Sequence, residues 1–384
     1  MNAVLFSLLL VQQPPAAAEL RRVVESGVRR GVFPGAVVVI GTRDSIAFAG
    51  GFGHLTWSPQ SATPSPATTL YDLASLTKIV ATTPAIMLLV ERGRVDLDAP
   101  VARYLPEFTG PGKEAVSVRS LLTHTSGLRA FLRLDTLARD PAGARRIVMA
   151  EALRWAPGRR VEYSDLNAML LGWVVESVSG SPLDRFVASD LFPALGMADA
   201  RFNPPKSLHA RVAPTGLWRG HAIAGAVHDQ NAARLAGVSG HAGLFATGMD
   251  VARFAQAFLN RGLTPDGRRV FRPETVDLFT RPHADLRALG WELRDTTTSD
   301  NAGRRMGPRA FGHTGFTGTS LWIDPGHGVF VVVLTNRVYA PRARTSITFL
   351  KEIRGRVADV AVTMAGAPCA APALAAREPR RPSC

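Results

Sequence analysis

Apolar residues follow two spacings along the chain, and the spacing changes with position. Near the N-terminus, the segment ELRRVVESGVRRG has apolar residues at helical intervals and ends in glycine, which predicts a helix. The next segment, GAVVVIGTRDSIAFAGGFG, has β-rich runs on either side of Thr42, Arg43 and Asp44, which predicts a hairpin. The first predicted elements are therefore a helix and two strands.

The far part of the chain is again rich in β-formers. The segment AFGHTGFTGTSLWIDPGHGVFVVVLTN predicts three strands, with Asp324, Pro325 and Gly326 in the turn between the last two. Between residues 75 and 280 the spacing is chiefly helical. We therefore expect an α+β fold (an α/β sandwich), in which one antiparallel sheet is built from both chain ends and flanked by helices, with a mostly helical lobe inserted.

Two helices of this middle region have clear end signals. In SPLDRFVASDLF, Ser181 is the predicted N-cap and Pro182 the first helical residue. In DVARFAQAFLNRG, Asp250 is the predicted cap and Gly262 the predicted stop.

The composition of the two ends sets the domain boundaries. Residues 1–18 combine a short apolar stretch with an Ala-x-Ala site, which predicts a signal peptide cleaved after Ala18 and a periplasmic or secreted protein. A misplaced start codon and an apolar N-terminal helix are the alternatives. Residues 365–384 are rich in Ala, Pro and Arg, which predicts a disordered tail. A single domain is expected over residues 19–364, with a sheet lobe of residues 19–74 and 285–364 and a helical lobe of residues 75–284.

Composition narrows the range of partners. Hydrophobic residues make up 46% and charged residues 20% of the chain, as in ordinary soluble enzymes. The net charge is +14, but the arginines are scattered and no aromatic residues are interleaved, so we expect a solvated surface and no nucleic-acid partner. After the leader, no apolar run is long enough to predict a membrane span. The only cysteines, Cys369 and Cys384, lie in the tail, and whether they pair is open.

Candidate chemistry begins with a lysine. The chain has 4 lysines and 41 arginines, and Lys78 stands at the start of the apolar run KIVATTPAIMLLV. If a helix begins near Ser75, Ser75 and Lys78 lie on one face, and the first-turn N–H groups favour an oxyanion beside the serine. Burial of Lys78 would favour its neutral form, which makes it a candidate general base. A capping serine followed by a snorkelling lysine is the alternative, and Pro84 predicts a kink after the first turns.

Two further segments add to this pair. VEYSDLNAMLLGWVVESVSG places Tyr163 and Ser164 directly before an apolar helix, and FGHTGFTG places His313, Thr314 and Gly315 on a strand. In order and spacing, Ser-x-x-Lys, a relative of Tyr-x-Asn and His-Thr-Gly resemble the penicillin-recognising serine hydrolases. The resemblance is strongest to the branch with class C β-lactamases, D-alanyl-D-alanine carboxypeptidases, D-aminopeptidases and lactamase-like esterases. It covers residues 20–360 and is supported by LLTHTSGL, LFPALGM and VHDQNAARLAGVSGHAGLFATGMDVARF.

The resemblance implies roles for individual residues. Ser75 corresponds to the nucleophile that forms an acyl-enzyme, and Lys78 to the lysine that helps to deprotonate it. Tyr163 corresponds to the tyrosine that carries a proton to the leaving group and activates the deacylating water. The backbone N–H groups of Ser75 and Phe316 correspond to the oxyanion hole. Gly315 fits a strand that approaches the substrate closely.

Two positions depart from the family pattern, and both are candidate substrate-binding residues together with Thr314 and Gly315. Asp165 stands where β-lactamases usually have asparagine, and Asn167 follows two residues later. An aspartate cannot donate an amide hydrogen bond, but it can cap the next helix or pair with Lys78.

At the third motif, His313 replaces the usual lysine. A neutral imidazole holds a substrate carboxylate less firmly than an ammonium does, although Arg337 offers partial compensation. Both departures favour esterase or peptidase relatives over an efficient β-lactamase.

The other histidines predict neither a metal nor a cofactor site. His124, His228, His241 and His313 lack the spacing of a zinc site, and no phosphate-binding glycine loop is present. We expect His124 to hold a turn, and His228 and His241 to organise a buried loop at the edge of the cleft.

Two classes of function follow. The first is an exported, cofactor-free serine acyl-hydrolase that acts through an acyl-enzyme on a small-molecule ester or D-amino-acid peptide, with weak or no β-lactamase activity. The second is a catalytically idle penicillin-binding or peptidoglycan-sensing module of the same fold. The presence of Ser75, Lys78 and Tyr163 together favours the first class. The sequence leaves the acyl group, the leaving group and the oligomeric state open.

Overall fold

An antiparallel sheet joins the two ends of the domain. The computed structural model describes residues 15–218, 221–339 and 347–366. Its strands are β1 (Gly35–Thr42), β2 (Ile46–Gly53), β3 (Tyr71–Asp72), β4 (Arg201–Phe202), β5 (Gly216–Trp218), β6 (His221–Ile223), β7 (Leu244–Ala246), β8 (Glu292–Leu293), β9 (Phe311–Thr314), β10 (Ser320–Asp324) and β11 (Val329–Thr335). The main sheet has the order β2-β1-β11-β10-β9-β8. The pairing of β1 with β11, from Ala36 opposite Thr335 to Thr42 opposite Val329, confirms the predicted sheet from both chain ends.

Helices cover the sheet and fill the chain between its two halves. The α-helices are α1 (Pro15–Arg29), α2 (Thr83–Glu91), α3 (Val118–Leu122), α4 (Leu134–Leu137), α5 (Pro141–Ala150), α6 (Asp165–Ser179), α7 (Leu183–Phe186), α8 (Phe192–Leu195), α9 (Gln230–Arg234), α10 (Gly248–Leu259), α11 (Pro273–Thr280) and α12 (Ile347–Ala365). π-Helical turns span Lys78–Thr82 and Val187–Leu191, and 3₁₀ turns span Val101–Arg103, Lys113–Ala115 and Lys206–Arg211. The α+β class is thereby confirmed.

Both faces of the central strands are buried. In β1, Val37 and Val39 pack into the core on the side of α10, whereas Val38 and Ile40 pack into a second core beneath α1 and α12. Successive side chains of a strand point to opposite faces, so a strand that is buried on both sides is apolar at nearly every position. This explains the unbroken run AVVVI in the sequence.

The middle of the chain contains more β-structure than its sequence pattern predicted. A small sheet has the order β3-β7-β4, and β5 pairs with β6. Strand β3 has only two residues, Tyr71 and Asp72, which pair with Ala246 and Phe245. This short strand leads directly to Ser75.

Two of the predicted helix starts are wrong by a few residues. Helix α7 begins at Leu183 with Pro182 as N-cap, one residue later than predicted, because the Glu176 side chain accepts the hydrogen bond from the Leu183 N–H. Helix α10 begins at Gly248. There Thr247 is the N-cap, and Asp250 is the third residue of a capping box rather than the cap.

The remaining helix predictions are confirmed. Gly262 follows α10 with a φ of +88°, and its N–H donates to the Ala257 carbonyl, as expected of a residue that ends a helix. The helix after Ser75 is interrupted by the π-helical turn ahead of Pro84, where the Thr83 N–H donates to the Lys78 carbonyl.

The predicted leader and tail fall largely outside the described residues. Of the leader, only residues 15–18 are described, and they form the first turn of α1. Of the tail, only Ala365 and Gly366 are described, and both cysteines lie beyond them. Among the helices of the described ranges, none is long and apolar enough to cross a membrane.

Candidate active site

Ser75 lies in a tight turn between β3 and the helix that follows. Ala74, immediately before it, has a φ of +47°, a left-handed conformation that is uncommon for residues other than glycine. The buried Asp72 carboxylate holds this conformation, because one oxygen accepts from the Ala74 N–H at 2.9 Å and the other accepts from the His228 N–H at 2.7 Å. The turn leaves the Ser75 side chain partly exposed at the end of a short strand.

The turn between β9 and β10 is fastened to the Ser75 segment. The Thr317 hydroxyl donates to the Asp72 carbonyl at 2.8 Å, and the Thr319 hydroxyl donates to the Leu73 carbonyl at 3.0 Å. A Cβ on Gly315 would lie 2.6 Å from the Leu73 carbonyl oxygen and 2.1 Å from the Thr319 hydroxyl, so only glycine fits there. The third motif is thus held directly against the turn that carries the nucleophile.

Because of these hydrogen bonds, the segments that carry the two predicted oxyanion-hole residues, Ser75 and Phe316, lie next to each other. Within the described ranges, neither the Ser75 N–H nor the Phe316 N–H donates to a protein oxygen. The buried Arg354 of α12 donates to the carbonyls of Gly315 at 3.3 Å and Thr319 at 2.8 Å, which fixes the turn from behind. Two amides without a protein partner, one on each of these two joined segments, suit a developing oxyanion.

Lys78 lies one turn after Ser75 and is almost fully buried. Its ammonium donates to the Ser75 hydroxyl at 3.0 Å, to the Asp165 carboxylate at 2.8 Å and to the His241 carbonyl at 3.1 Å. Burial lowers the pKa of Lys78, but the Asp165 carboxylate and the Tyr163 hydroxyl raise it by more, and the net pKa lies above the ordinary value. The expectation that burial drives Lys78 towards the neutral form is therefore wrong.

Asp165 takes the second of its two predicted roles. Ser164 is the N-cap of α6, whereas the Asp165 side chain forms the ion pair with Lys78. Burial raises the pKa of the Asp165 carboxyl, but the Lys78 ammonium lowers it further, so the net pKa lies below the usual range. The ion pair cancels the charge of Lys78 within the site.

Tyr163 lies among four nitrogen-bearing side chains. Its ring centroid is 4.9 Å from Lys78 Nζ and 5.4 Å from Arg287 Cζ, and the rings of His124 and His313 lie at 4.8 Å and 5.7 Å. Burial raises the pKa of the Tyr163 hydroxyl, and the Lys78 ammonium offsets only part of that effect. The phenol is therefore protonated at neutral pH.

His313 is a neutral imidazole of defined tautomer. Its Nδ1 lies 2.8 Å from the Thr314 carbonyl and donates to it, which leaves Nε2 as an acceptor, buried and without a protein partner in the described residues. Burial, with Lys78 and Arg287 nearby, lowers the pKa of His313 to about 3. His313 therefore offers an acceptor where the family pattern has a cation.

His124 and Asn167 position the tyrosine segment rather than the substrate. His124 has a φ of +58° and its carbonyl accepts from the Glu162 N–H, so it holds a turn as predicted. Its Nδ1 accepts from the Ser164 N–H at 3.2 Å and lies 3.2 Å from Asn167 Nδ2. Asn167 Oδ1 also accepts from the Ser126 hydroxyl, so both ends of the side-chain amide have a partner within the protein.

The buried loop predicted around His228 and His241 lies beside the site. His241 Nε2 lies 3.0 Å from the Asp229 carboxylate, and its Nδ1 lies 2.7 Å from the Ser239 hydroxyl. Asp229 also caps α9 through the Ala232 N–H. This network fixes the His241 carbonyl that accepts from Lys78.

Several residues that the site uses were not predicted from the sequence. Each makes a contact with a segment far away in the chain, which local spacing does not reveal: Asp72, Arg287, Thr317, Thr319 and Arg354. The alternation of threonines in GFTGTS, directly after the third motif, was the one available signal. Among the described residues, no cluster of three or more His, Cys, Asp or Glu side chains is arranged to hold a metal ion.

The site consists of a serine in a turn that hydrogen bonds hold in place, a buried lysine that donates to this serine, a neighbouring tyrosine and two free amides. This arrangement defines a serine hydrolase site of the penicillin-recognising class. The family model described as Beta-lactamase matches residues 20–353. This chain therefore belongs to the Beta-lactamase family.

Similar proteins agree with this assignment. A protein of Escherichia coli (strain K12) named "Putative D-alanyl-D-alanine carboxypeptidase" is 34% identical over 313 residues, which cover 72% of this chain and 70% of that protein. The solved structure titled "EstCE1, a hydrolase with promiscuous acyltransferase activity" has a TM-score of 0.72 at 21% identity and covers 89% of this chain and 98% of its own. A penicillin-binding protein homologue from Caulobacter crescentus has a TM-score of 0.72 at 23% identity, with 91% and 98% covered. At these identities the two structures show the fold alone.

Proposed function

We propose that this protein is a serine acyl-hydrolase that forms an acyl-enzyme on Ser75 with esters or D-amino-acid peptides. The observation that carries the proposal is the contact of 3.0 Å between the Ser75 hydroxyl and Lys78 Nζ, beside two free backbone amides. A serine is a poor nucleophile until a neighbouring group accepts its proton, and this contact supplies the route.

The proton acceptor is the Lys78–Tyr163 pair after it has lost one proton. In the resting site Lys78 is an ammonium and Tyr163 a phenol, so neither accepts a proton at once. When the pair releases a proton, the Ser75 hydroxyl attacks the acyl carbon and its proton passes to the pair, while the N–H groups of Ser75 and Phe316 donate to the oxyanion. Tyr163 then protonates the leaving group, and a water molecule hydrolyses the acyl ester.

Substrate choice follows from the second and third motifs. Asp165 is engaged with Lys78 and has no N–H to offer a side-chain carbonyl, and His313 carries no positive charge. We infer that β-lactams are hydrolysed slowly or stop at the acyl-enzyme, whereas short neutral esters are turned over.

The test compares p-nitrophenyl acetate and butyrate with nitrocefin on purified protein. We expect a larger kcat/KM for at least one ester, and a Ser75→Ala variant supplies the background rate. Faster hydrolysis of nitrocefin than of every ester would contradict the substrate assignment.

The second candidate is a catalytically idle module that binds penicillin or peptidoglycan. The ion pair between Lys78 and Asp165 favours it, since it holds the lysine in its protonated form. Reversible binding of a fluorescent penicillin without a covalent adduct, together with no turnover of any ester or D-alanyl-D-alanine peptide, would select this candidate.

We also propose export, from the apolar stretch and Ala-x-Ala site of residues 1–18. Mass spectrometry of the protein made in a bacterial host should find a mature N-terminus at Glu19 in the periplasmic or extracellular fraction. An intact N-terminus in the cytoplasmic fraction would contradict export.

A further inference from the structure

An exposed phenylalanine ring lies beside the oxyanion hole. The Phe316 side chain is 66% exposed, more than any other large apolar side chain of the described residues. Its ring branches from the Cα that is bonded to one of the two amides assigned to the oxyanion. An exposed ring at this place leaves apolar area that a bound acyl group can cover.

The Phe316 ring stacks on the imidazole of His228. The two ring centroids are 5.6 Å apart, and the ring planes are inclined by 28°. Burial lowers the pKa of His228 although the Asp229 charge opposes this effect, so the imidazole is neutral at neutral pH. The two rings therefore form one uncharged aromatic surface, the Phe316–His228 pair.

Hydrogen bonds and packing fix the backbone beneath both rings. The His228 N–H donates to the Asp72 carboxylate at 2.7 Å, and Val227 packs against a buried apolar cluster. On the side of Phe316, the Thr317 hydroxyl donates to the Asp72 carbonyl at 2.8 Å. Both rings are thus tied to the same residue of the strand that leads to the nucleophile. A surface held in place in this way binds a ligand at a low cost in ordering.

The Phe316–His228 pair borders the acyl group rather than the leaving group. In the tetrahedral intermediate, three groups on the reacting carbon have a place: the Ser75 oxygen, the oxyanion at the two amides, and the leaving group that Tyr163 protonates. In the part of the chain that the structure describes, neither ring of the pair contacts the Tyr163 ring. The pair is therefore separate from the leaving-group side, and the fourth substituent, the acyl chain, lies next to it.

We propose that the Phe316–His228 pair binds an aromatic ring of the acyl group, so that esters of aryl-substituted carboxylic acids are the preferred substrates. A planar ring can stack on Phe316 and bury apolar area of both rings, and this contact needs no charge. It suits a site in which Asp165 neutralises Lys78 and His313 is uncharged. This inference rests on the proposed function, and it names the acyl group for that same site.

The first test compares two acyl groups on purified protein. The esters are p-nitrophenyl hydrocinnamate and p-nitrophenyl butyrate, which differ by a phenyl ring in place of the terminal methyl group. We expect Phe316→Ala to lower the ratio of their kcat/KM values by about 5- to 10-fold, and Phe316→Tyr, which keeps a ring, to preserve the ratio. Damage to the oxyanion hole would lower both rates together and leave the ratio unchanged. Ile46→Ala, which shortens an exposed apolar side chain at the start of the edge strand β2, is the control and should also preserve the ratio.

A second series separates the acyl group from the leaving group. The acyl group is fixed as acetyl, and kcat/KM is compared for p-nitrophenyl acetate and trifluoroethyl acetate. Phe316→Ala should leave this ratio unchanged. A larger change in this ratio than in the ratio of the two acyl groups would place the pair on the leaving-group side and overturn the inference.

A binding experiment does not depend on turnover. In a Ser75→Ala background, ligand-observed NMR titrations compare methyl hydrocinnamate with methyl butyrate. We expect the hydrocinnamate to bind more tightly, and Phe316→Ala in this background should remove the difference. Equal binding of the two esters, or a difference that Phe316→Ala does not change, overturns the inference, and circular dichroism confirms that each variant is folded.

The failure of this inference differs from the failure of the proposed function. If the binding difference is found but a fluorophosphonate does not label Ser75 in the otherwise unmodified protein, the aromatic site stands and the hydrolase assignment is lost. If Ser75 is labelled and the ratio of the two acyl groups does not respond to Phe316→Ala, the protein is a hydrolase whose acyl group does not bind the Phe316–His228 pair.

Discussion

The ion pair between Asp165 and Lys78 should set the pH at which the enzyme becomes active. Asp165 holds a proton on Lys78, and acylation needs the Lys78–Tyr163 pair to lose one proton first. Replacing Asp165 by asparagine keeps an oxygen that accepts from Lys78 and removes only the negative charge. The apparent pKa of the pair should then fall, and activity should appear at lower pH.

The size of the shift follows from the geometry. The two charged atoms are 2.8 Å apart, and at an effective dielectric constant of about 20 such charges attract by about 6 kcal/mol. The carboxylate charge is shared by two oxygens and its side chain is 17% exposed, so the realised effect is smaller. We expect a decrease of about 1–3 pKa units, which is the usual range for a charge partner at this distance.

The assay is the pH dependence of kcat/KM for p-nitrophenyl acetate, which reports pKa values of the free enzyme. The pKa values of both Lys78 and Tyr163 are raised, so the unmodified enzyme should gain activity with rising pH throughout the neutral and alkaline range. In Asp165→Asn the same rise should level off at lower pH. Rates of the Ser75→Ala variant are subtracted, because the ester hydrolyses spontaneously in alkali. A profile that does not move, or that moves to higher pH, would refute the reasoning.

Further predictions concern other parts of the site. Lys78→Arg keeps the positive charge, but the arginine cannot release a proton, so the acylation rate in stopped-flow assays should fall by about 100-fold or more. Near-native acylation rates would leave Lys78 with a structural role only. Arg354→Met removes the hydrogen bonds to the turn that carries Gly315, and it should lower kcat by about tenfold or more with little change in KM. A loss of thermal stability with unchanged kcat would show that Arg354 does not position the oxyanion hole. Gly315→Ala places a methyl group 2.1 Å from the Thr319 hydroxyl and should abolish ester hydrolysis. A variant as active as the unmodified enzyme would show that activity does not require the close packing of Gly315 against the Ser75 segment. His313→Lys restores the family's cation and should raise the rate of nitrocefin hydrolysis relative to that of ester hydrolysis. An unchanged ratio of the two rates would show that the neutral imidazole is not the cause of slow β-lactam hydrolysis.

Local patterns were enough to predict much of the fold. Strands β1, β2, β9, β10 and β11 are marked by runs of β-formers bounded by turn residues, and the sheet from both chain ends followed from their positions. The helix ends were less predictable. The start of α10 is marked by a local capping box of Thr247 and Asp250, of which Asp250 was predicted as the cap, whereas the start of α7 depends on a contact outside the helix. The Leu183 N–H, for example, donates to Glu176, which belongs to the preceding helix.

In the site, too, local features could be predicted from the sequence, whereas features that depend on distant contacts could not. The Ser75 and Lys78 pair is local, so its spacing could be recognised in the sequence. The protonation of Lys78 depends on Asp165, which lies 87 residues further along the chain, and apolar neighbours alone predicted the wrong direction. Arg287 lies outside the helices and strands of the structure, and only the folded chain brings it over the Tyr163 ring.

Covalent labelling of Ser75 tests the central claim most directly. Intact-mass spectrometry after treatment with a fluorophosphonate should show one adduct on the unmodified protein, and peptide mapping should place it on Ser75. The Ser75→Ala variant should show no adduct, and Ser58→Ala, which removes an exposed serine, should be labelled like the unmodified protein. An adduct of equal yield on Ser75→Ala would contradict the assignment of Ser75 as the nucleophile.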